Sequence, residues 1–224
     1  MAKGRKNEIS IVFEDDDIII VNKPSGLLTM STGREDEVTA YTLLTDHVRR
    51  RNPRARIFIV HRLDRDTSGL LIFAKTPDTK YALQDYWDEA VLERRYVAVT
   101  EKVPSPASGR IVSWLKENKK SFLVSSSPTD NGGQKAITNY KVLKSNGKNA
   151  LVEFELETGR KNQIRVHASS VLGTPVAGDR KYGASSSPLN RLALHAESIK
   201  FKHPWTGEIL SFSTGIPRSF LGLF

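Results

Sequence analysis

Two short apolar runs, Ile18-Ile19-Ile20-Val21 and Leu70-Leu71-Ile72-Phe73-Ala74, do most to limit what this chain can fold into. Neither alternates with polar residues, which is the pattern of strands buried on both faces. Both are far too short to cross a bilayer, which takes about 20 apolar residues as a helix. The first run stops at the turn cluster Lys23-Pro24-Ser25-Gly26. The second is preceded by nine polar-rich residues, 61–69.

Around these runs the pattern predicts an ordered series of elements. Residues 9–13 and 18–22 read as a hairpin about the acidic turn 14–17. Thr39 is placed to cap a helix over 40–51, with Leu44 and His47 or Val48 on its apolar stripe and Pro53 beyond its end. A strand at 57–60 leads into 61–69 and resumes over 70–75. Thr76 followed by Pro77 starts a helix predicted to reach residue 93, with Leu83 and Trp87 four apart. Strands follow at 95–100, 111–115, 122–125, 136–143 and 150–156, the last two joined by Asn146-Gly147. After Thr158-Gly159-Arg160 a short helix is predicted over 162–172, ended by Gly173 and Pro175. Strands at 192–201 and 209–212 close the chain about a turn at 204–207. Strands outnumber helices and are mostly joined by hairpins, so the fold class is α+β with a mixed, mostly antiparallel sheet. There is no internal repeat, and the Ser/Gly/Pro-rich loops 125–133 and 184–188 are too short to link domains. One domain over 1–224 is expected.

Composition narrows the function classes. The chain has no cysteine, which excludes disulfides and thiolate metal sites. Its 34 Lys and Arg against 25 Asp and Glu leave a net charge of +9, which points to a polyanionic partner, nucleic acid first. The cations cluster at 49–56, 62–65, 94–95, 116–120, 160–165 and 180–181, mostly at turns or element ends. Such clusters are either solvated faces or loops converging on a ligand. The first eight residues are polar and basic, without the apolar core of a signal peptide, so a cytoplasmic protein is expected.

Two stretches could carry chemistry. His61-Arg62-Leu63-Asp64-Arg65-Asp66-Thr67-Ser68-Gly69 sets charges, an imidazole and hydroxyls between apolar strands, where buried charge is costly unless paired. It is either a solvated hairpin loop or a site, and on composition Asp64 and Asp66 are equal candidates. In Arg160-Lys161-Asn162-Gln163-Ile164-Arg165-Val166-His167, a helix would set Lys161, Arg165 and Asn162 along one side, with a basic start suited to phosphate. The alternative is a basic surface helix. His61, Asp64, Asp66, His167 and His195 match no standard ligand spacing, and no metal is expected.

Taken together, these stretches resemble the RluA-type pseudouridine synthases. Members of that family carry His-Arg-Leu-Asp-x-x-Thr-Ser-Gly before an apolar strand, matched by His61 to Gly69. They carry Asn-Lys-Pro-x-Gly-Leu, matched from Asn22 to Leu27, and Tyr-x-Ala-x-Val, matched from Tyr96. Thr-Gly-Arg-x-x-Gln-Ile-Arg-Val-His is matched from Thr158 to His167, and Gly-Asp-x-x-Tyr-Gly from Gly178 to Gly183. One position departs: Asn162 stands where the family usually has His. The accessory N-terminal RNA-binding domain of some relatives is expected to be missing.

The resemblance implies the pseudouridine-synthase fold, with a central sheet flanked by helices and loops and an active-site cleft across it. It implies an isomerase that breaks the uridine N1–C1′ bond, turns the base and joins C5 to C1′, with no cofactor. Asp64 would be the catalytic carboxylate, Arg165 its partner and Tyr96 the aromatic on the target uracil. Carboxylates act on sugars in related ways during glycoside cleavage. Arg62 would fill the gap left by the flipped base. Lys23, His61, Arg160, Lys161 and Gln163 would contact RNA. The substrate would be structured ribosomal or transfer RNA, the protein a monomer, and target choice would lie in loops 34–38, 116–120 and 125–133. Two rivals stand beside this reading: an RNA-binding protein of the same fold without catalysis, and a hydrolase using His61 or His167 with Asp64.

Overall fold

A computed structural model describes residues 8–33 and 37–224. Residues 1–7, and 34–36 of the loop expected to influence target choice, lie outside them. No helix among the described residues is long and apolar enough to cross a membrane. The chain divides into two compact units, Met1–Leu92 with Ala196–Thr214 and Glu93–His195 with Gly215–Phe224.

The first unit is built on the two apolar runs. Strand β1 (Ser10–Glu14) forms the predicted hairpin with β2 (Ile18–Lys23). Helix α1 (Ala40–Arg49) follows, and the short β3 (Phe58–Ile59) precedes β4 (Ser68–Ala74). Strand β2 pairs antiparallel with β4, from Ile18 opposite Ala74 to Lys23 opposite Gly69. All seven residues of β4 are buried, as are Ile18 to Val21. Burying each such aliphatic side chain contributes about 1.5–3 kcal/mol, so this pair anchors the unit. The register sets the end of β2 beside the start of β4, and the two polar turn segments therefore share one end of the ladder.

The helices of this unit begin where the sequence predicts and stop sooner. Thr39 caps α1 by accepting from the Thr42 N–H while the Thr42 hydroxyl reaches back to the Thr39 N–H. Thr76 caps α2 (Pro77–Asp85) through the Thr79 N–H. The helix predicted to reach residue 93 ends at Tyr86, and only the short α3 (Trp87–Ala90) follows. The β-branched Val91 instead opens strand β5 (Val91–Thr100) and packs with Ile72 and Leu83 in the core. Tertiary burial overrides helix continuation here.

The second unit is an antiparallel sheet in the order β5, β9 (Ala150–Leu156), β8 (Gln134–Ser145), β6 (Ser108–Glu117), β7 (Val124–Ser127). The helix predicted over 162–172 is shorter than expected. Asn162 is left-handed (φ 56°, ψ 19°), so α4 (Gln163–Val166) begins after it, then widens into a π-helical turn (His167–Val171). Lys161 and Asn162 precede the helix and share no helical face with Arg165, which corrects the predicted basic stripe. A 3-10 turn (Arg180–Tyr182) follows. Strands β10 (Leu194–Lys202) and β11 (Ile209–Ser213) pair with each other, their ladder lying in the first unit, and α5 (Arg218–Leu221) closes the chain. With few, short helices and antiparallel ladders, the α+β class stands.

Candidate active site

Asp64 sits half-buried on the loop between β3 and β4, and its backbone is held almost atom by atom. The Thr29 hydroxyl donates to the Leu63 carbonyl at 2.9 Å and accepts from the Leu63 N–H at 3.2 Å. The Arg65 carbonyl accepts from the Gly26 N–H at 2.9 Å and the Lys23 ammonium at 3.0 Å. Ser25 Oγ donates to the Asp66 carbonyl at 2.7 Å, and the Thr67 N–H closes a turn onto the Asp64 carbonyl at 3.2 Å. Four successive carbonyls around Asp64 thus have donors, three of them from the segment that follows β2. The motifs beginning at Asn22 and at His61 are two halves of one folded turn.

Two residues make this turn possible. Lys23 is wholly buried, and its ammonium donates also to the Pro24 and Leu27 carbonyls at 3.1 and 2.6 Å. Its positive charge is compensated by carbonyl dipoles, as buried charges require. Gly69 has φ +115°, and a Cβ there would stand 2.2 Å from the Ala196 carbonyl oxygen. Only glycine fits where β4 leaves the loop.

In the second unit Arg165 is held by a cage of its own. Its Nε and Nη2 donate to the two carboxylate oxygens of Asp179, each at 2.7 Å, a bidentate pair. Nη1 donates to Oδ1 of Asn162 at 3.0 Å, and the guanidinium lies 5.0 Å from the Tyr182 ring centroid. The Asn162 amide in turn donates to the Tyr182 hydroxyl at 2.9 Å. Asparagine tolerates the left-handed backbone better than most residues. At the one position where the chain departs from the family pattern, it therefore serves both the turn and the cage. Tyr96 lies on β5 opposite Phe154, partly buried against the core of the unit.

Beneath this segment lies a buried polar network. Gln163 accepts from the Thr158 hydroxyl and the Arg160 N–H and donates to the Ile137 carbonyl and the Thr138 hydroxyl, all at 2.9 Å. His167 bonds the Thr138 and Ser113 hydroxyls at 2.8 and 2.9 Å, one ring nitrogen to each. Burial holds the His167 pKa down to about 4, so the ring is neutral at pH 7.

The expected RNA contacts therefore divide. Arg62, Arg160 and Lys161 are exposed, Arg160 donating to the Lys135 carbonyl and Lys161 pairing with Glu117. Lys23 and Gln163 are buried with their polar atoms on the protein's own groups, which removes them from the phosphate-contacting set. The His61 ring is half-buried, accepts the Ile72 N–H on Nε2 at 3.1 Å and packs 4.9 Å from the Trp87 ring. Asp179 and Tyr182 were missed as individual residues. The Gly178 to Gly183 motif was the available signal, but nothing local says which arginine its aspartate faces.

Among the described residues, Asp15, Asp17 and His203 bring ligand atoms within 4.8 Å of one another. The His203 Nδ1 accepts the Trp205 and Thr206 N–H groups, which favours the tautomer with its proton on Nε2, facing Asp15 Oδ2 at 3.3 Å. A proton there opposes use of Nε2 as a metal ligand.

Comparison with known proteins agrees along nearly the whole chain. Residues 17–170 match the RNA pseudouridylate synthase family. An uncharacterised RNA pseudouridine synthase of Bacillus subtilis, YhcT, is 38% identical over 222 residues, covering 96% of this chain and 71% of that one. The ribosomal large subunit pseudouridine synthase C of Rickettsia bellii is 36% identical over 214 residues, covering 94% and 69%. Among solved structures, human RNA pseudouridylate synthase domain containing 4 superposes with a TM-score of 0.77 at 25% identity, over 95% of this chain and 90% of that one. The chain belongs to the RNA pseudouridylate synthase family, and within it to the RluA type.

Proposed function

We propose that this RNA pseudouridine synthase uses Asp64 as its catalytic carboxylate, on uridines of ribosomal or transfer RNA. The observation that carries the assignment is the pinned turn. Catalysis by a carboxylate at a sugar carbon depends on groups fixed before the substrate arrives. The backbone around Asp64 is tied on both sides of that residue. Asp66 lies in the same turn, and the family register of His61 to Gly69 selects Asp64.

The reaction moves one glycosidic bond from N1 to C5 and conserves every atom, so no oxidant, reductant or group donor enters its balance. Asp64 acts at the sugar or base as the N1–C1′ bond breaks. Tyr96 stacks on the uracil, and Arg165 is the cation of the reaction. Asp179 and Asn162 are positioning residues for Arg165. Arg62, exposed and two residues before Asp64, takes the place of the flipped base. Arg160 and Lys161 bind phosphate, the latter after leaving Glu117. The reading takes both units as one catalytic domain, working as a cytoplasmic monomer.

Unmodified ribosomal and transfer RNA transcripts tritiated at uridine C5 test it directly. Wild type is expected to release tritium, and Asp64→Asn to release none while still binding RNA. Release by both proteins would overturn the choice of Asp64, and release by neither from any RNA would overturn the activity.

A further inference from the structure

On the first unit, α1, β3 and α2 border a groove of about 600 Å³, within the range of small-ligand sites. Three cations line it: Arg49 in the last turn of α1, Arg56 just before β3, and Lys80 on α2. No carboxylate does. Beside them stand Tyr41 and Met30, 37% and 43% exposed, together with Phe58 of β3. Some basic residues elsewhere in the chain are neutralised, Arg110 by Glu157 and Arg95 by Glu93. Among the described residues the three in the groove form no ion pair. Arg49 Nε donates to the Ala55 carbonyl at 3.4 Å, and Lys80 Nζ lies 5.3 Å from the Tyr81 ring centroid.

We propose that this groove is a second RNA subsite, which takes an unpaired nucleotide close to the target uridine. Unneutralised cations beside an exposed aromatic ring are what single-stranded nucleic acid needs: phosphate neutralisation and a stacking platform. An acidic protein would satisfy the cations and leave Tyr41 and Met30 without a planar partner. The chain also sets how near the subsite lies. Ile59 lines the groove and Asp64 follows five residues later, so their Cα atoms are at most about 18 Å apart. A nucleotide held here is therefore only a few nucleotides from the reacting base. The proposal rests on the reading of the chain as an RNA pseudouridine synthase and adds a grip that the catalytic residues do not supply.

The test uses the full chain, a short fluorescein-labelled oligouridylate carrying 4-thiouridine, and two variants, Tyr41→Ala and Arg49→Ala/Arg56→Ala/Lys80→Ala. Melting curves confirm that the variants fold. Anisotropy titrations across a salt series are expected to show at least about fivefold weaker binding for Tyr41→Ala, from lost stacking. The triple variant is expected to lower the salt slope by about 2, from three lost single-strand phosphates. Photocrosslinks in wild type are expected on the peptide carrying Tyr41. Wild-type affinity and slope in both variants, with crosslinks elsewhere, would overturn the subsite even if tritium release from RNA is normal. Weakened binding in the variants with no tritium release by wild type would keep the subsite and overturn the catalytic reading. No oligouridylate binding by wild type, or equal competition by an acidic peptide, would overturn the subsite.

Discussion

The Lys23 ammonium is the plainest case of a residue whose chemistry was legible and whose role was not. Its sequence context, a lysine in a basic chain beside a turn, is compatible with a phosphate contact. Its place at the end of the buried β2 instead gives the ammonium three carbonyls, one of them next to Asp64. Removing it leaves those carbonyls buried with a donor missing, at a cost of about 1–3 kcal/mol or more. Lys23→Ala is therefore expected to lower the urea midpoint and slow turnover, with the salt dependence of RNA affinity unchanged. A salt slope smaller by about 1 would restore Lys23 to the phosphate contacts. Gln163 follows the same logic, its amide saturated inside the protein.

At the scale of elements, the ladder between β2 and β4 determines where the active turn forms. The aliphatic runs name both strands, and their register then brings the Lys23 segment against 61–69. Gly69 is the joint. A methyl group there meets the Ala196 backbone oxygen at 2.2 Å on a backbone of φ +115°. Strained backbone of this kind costs about 1–3 kcal/mol before the clash is counted. Gly69→Ala is expected to lose about 3 kcal/mol or more in urea unfolding, and a loss below about 1 kcal/mol would mean that β10 can yield there. The helix that stops at Tyr86 and the one broken at Asn162 lie beyond local reading. Val91 leaves its helix for the core, and Asn162 for the Arg165 cage.

For the molecule as a whole, two buried histidines set an acid limit. Burial lowers His167 to about 4; burial first, and then Arg191, lowers His195 to about 4. The unfolded chain binds those protons near pH 6.5 and the native state does not, so their contribution is present above that pH. It is lost as pH falls from about 6.5 to about 4, below which both states are protonated. Between pH 7.5 and 5 each histidine removes about 2 kcal/mol. Urea titrations at those two pH values are expected to show a combined loss of about 4 kcal/mol, and equal stability at both would contradict neutral burial of the two rings.

Several features follow from local physics alone. The apolar runs read as buried strands because they are short, rich in branched side chains and bounded by turn residues. Thr39 and Thr76 had to cap because they precede helical periodicity. The polar residues 61–69 had to be either a solvated loop or a site, because charge between buried strands needs a reason. Residue type left Asp64 and Asp66 equal, and only the resemblance to the family motif singled out Asp64 as the expected catalytic carboxylate. Which groups face each other across hundreds of atoms is a property of packing. Only the tertiary structure turned Lys23 inward, joined two distant motifs into one turn, and gave Arg165 the carboxylate of Asp179. Hydrogen-bond partners separated by 42 residues, as Lys23 and Arg65 are, leave no periodic trace in a chain, because the contact belongs to the fold and not to the spacing.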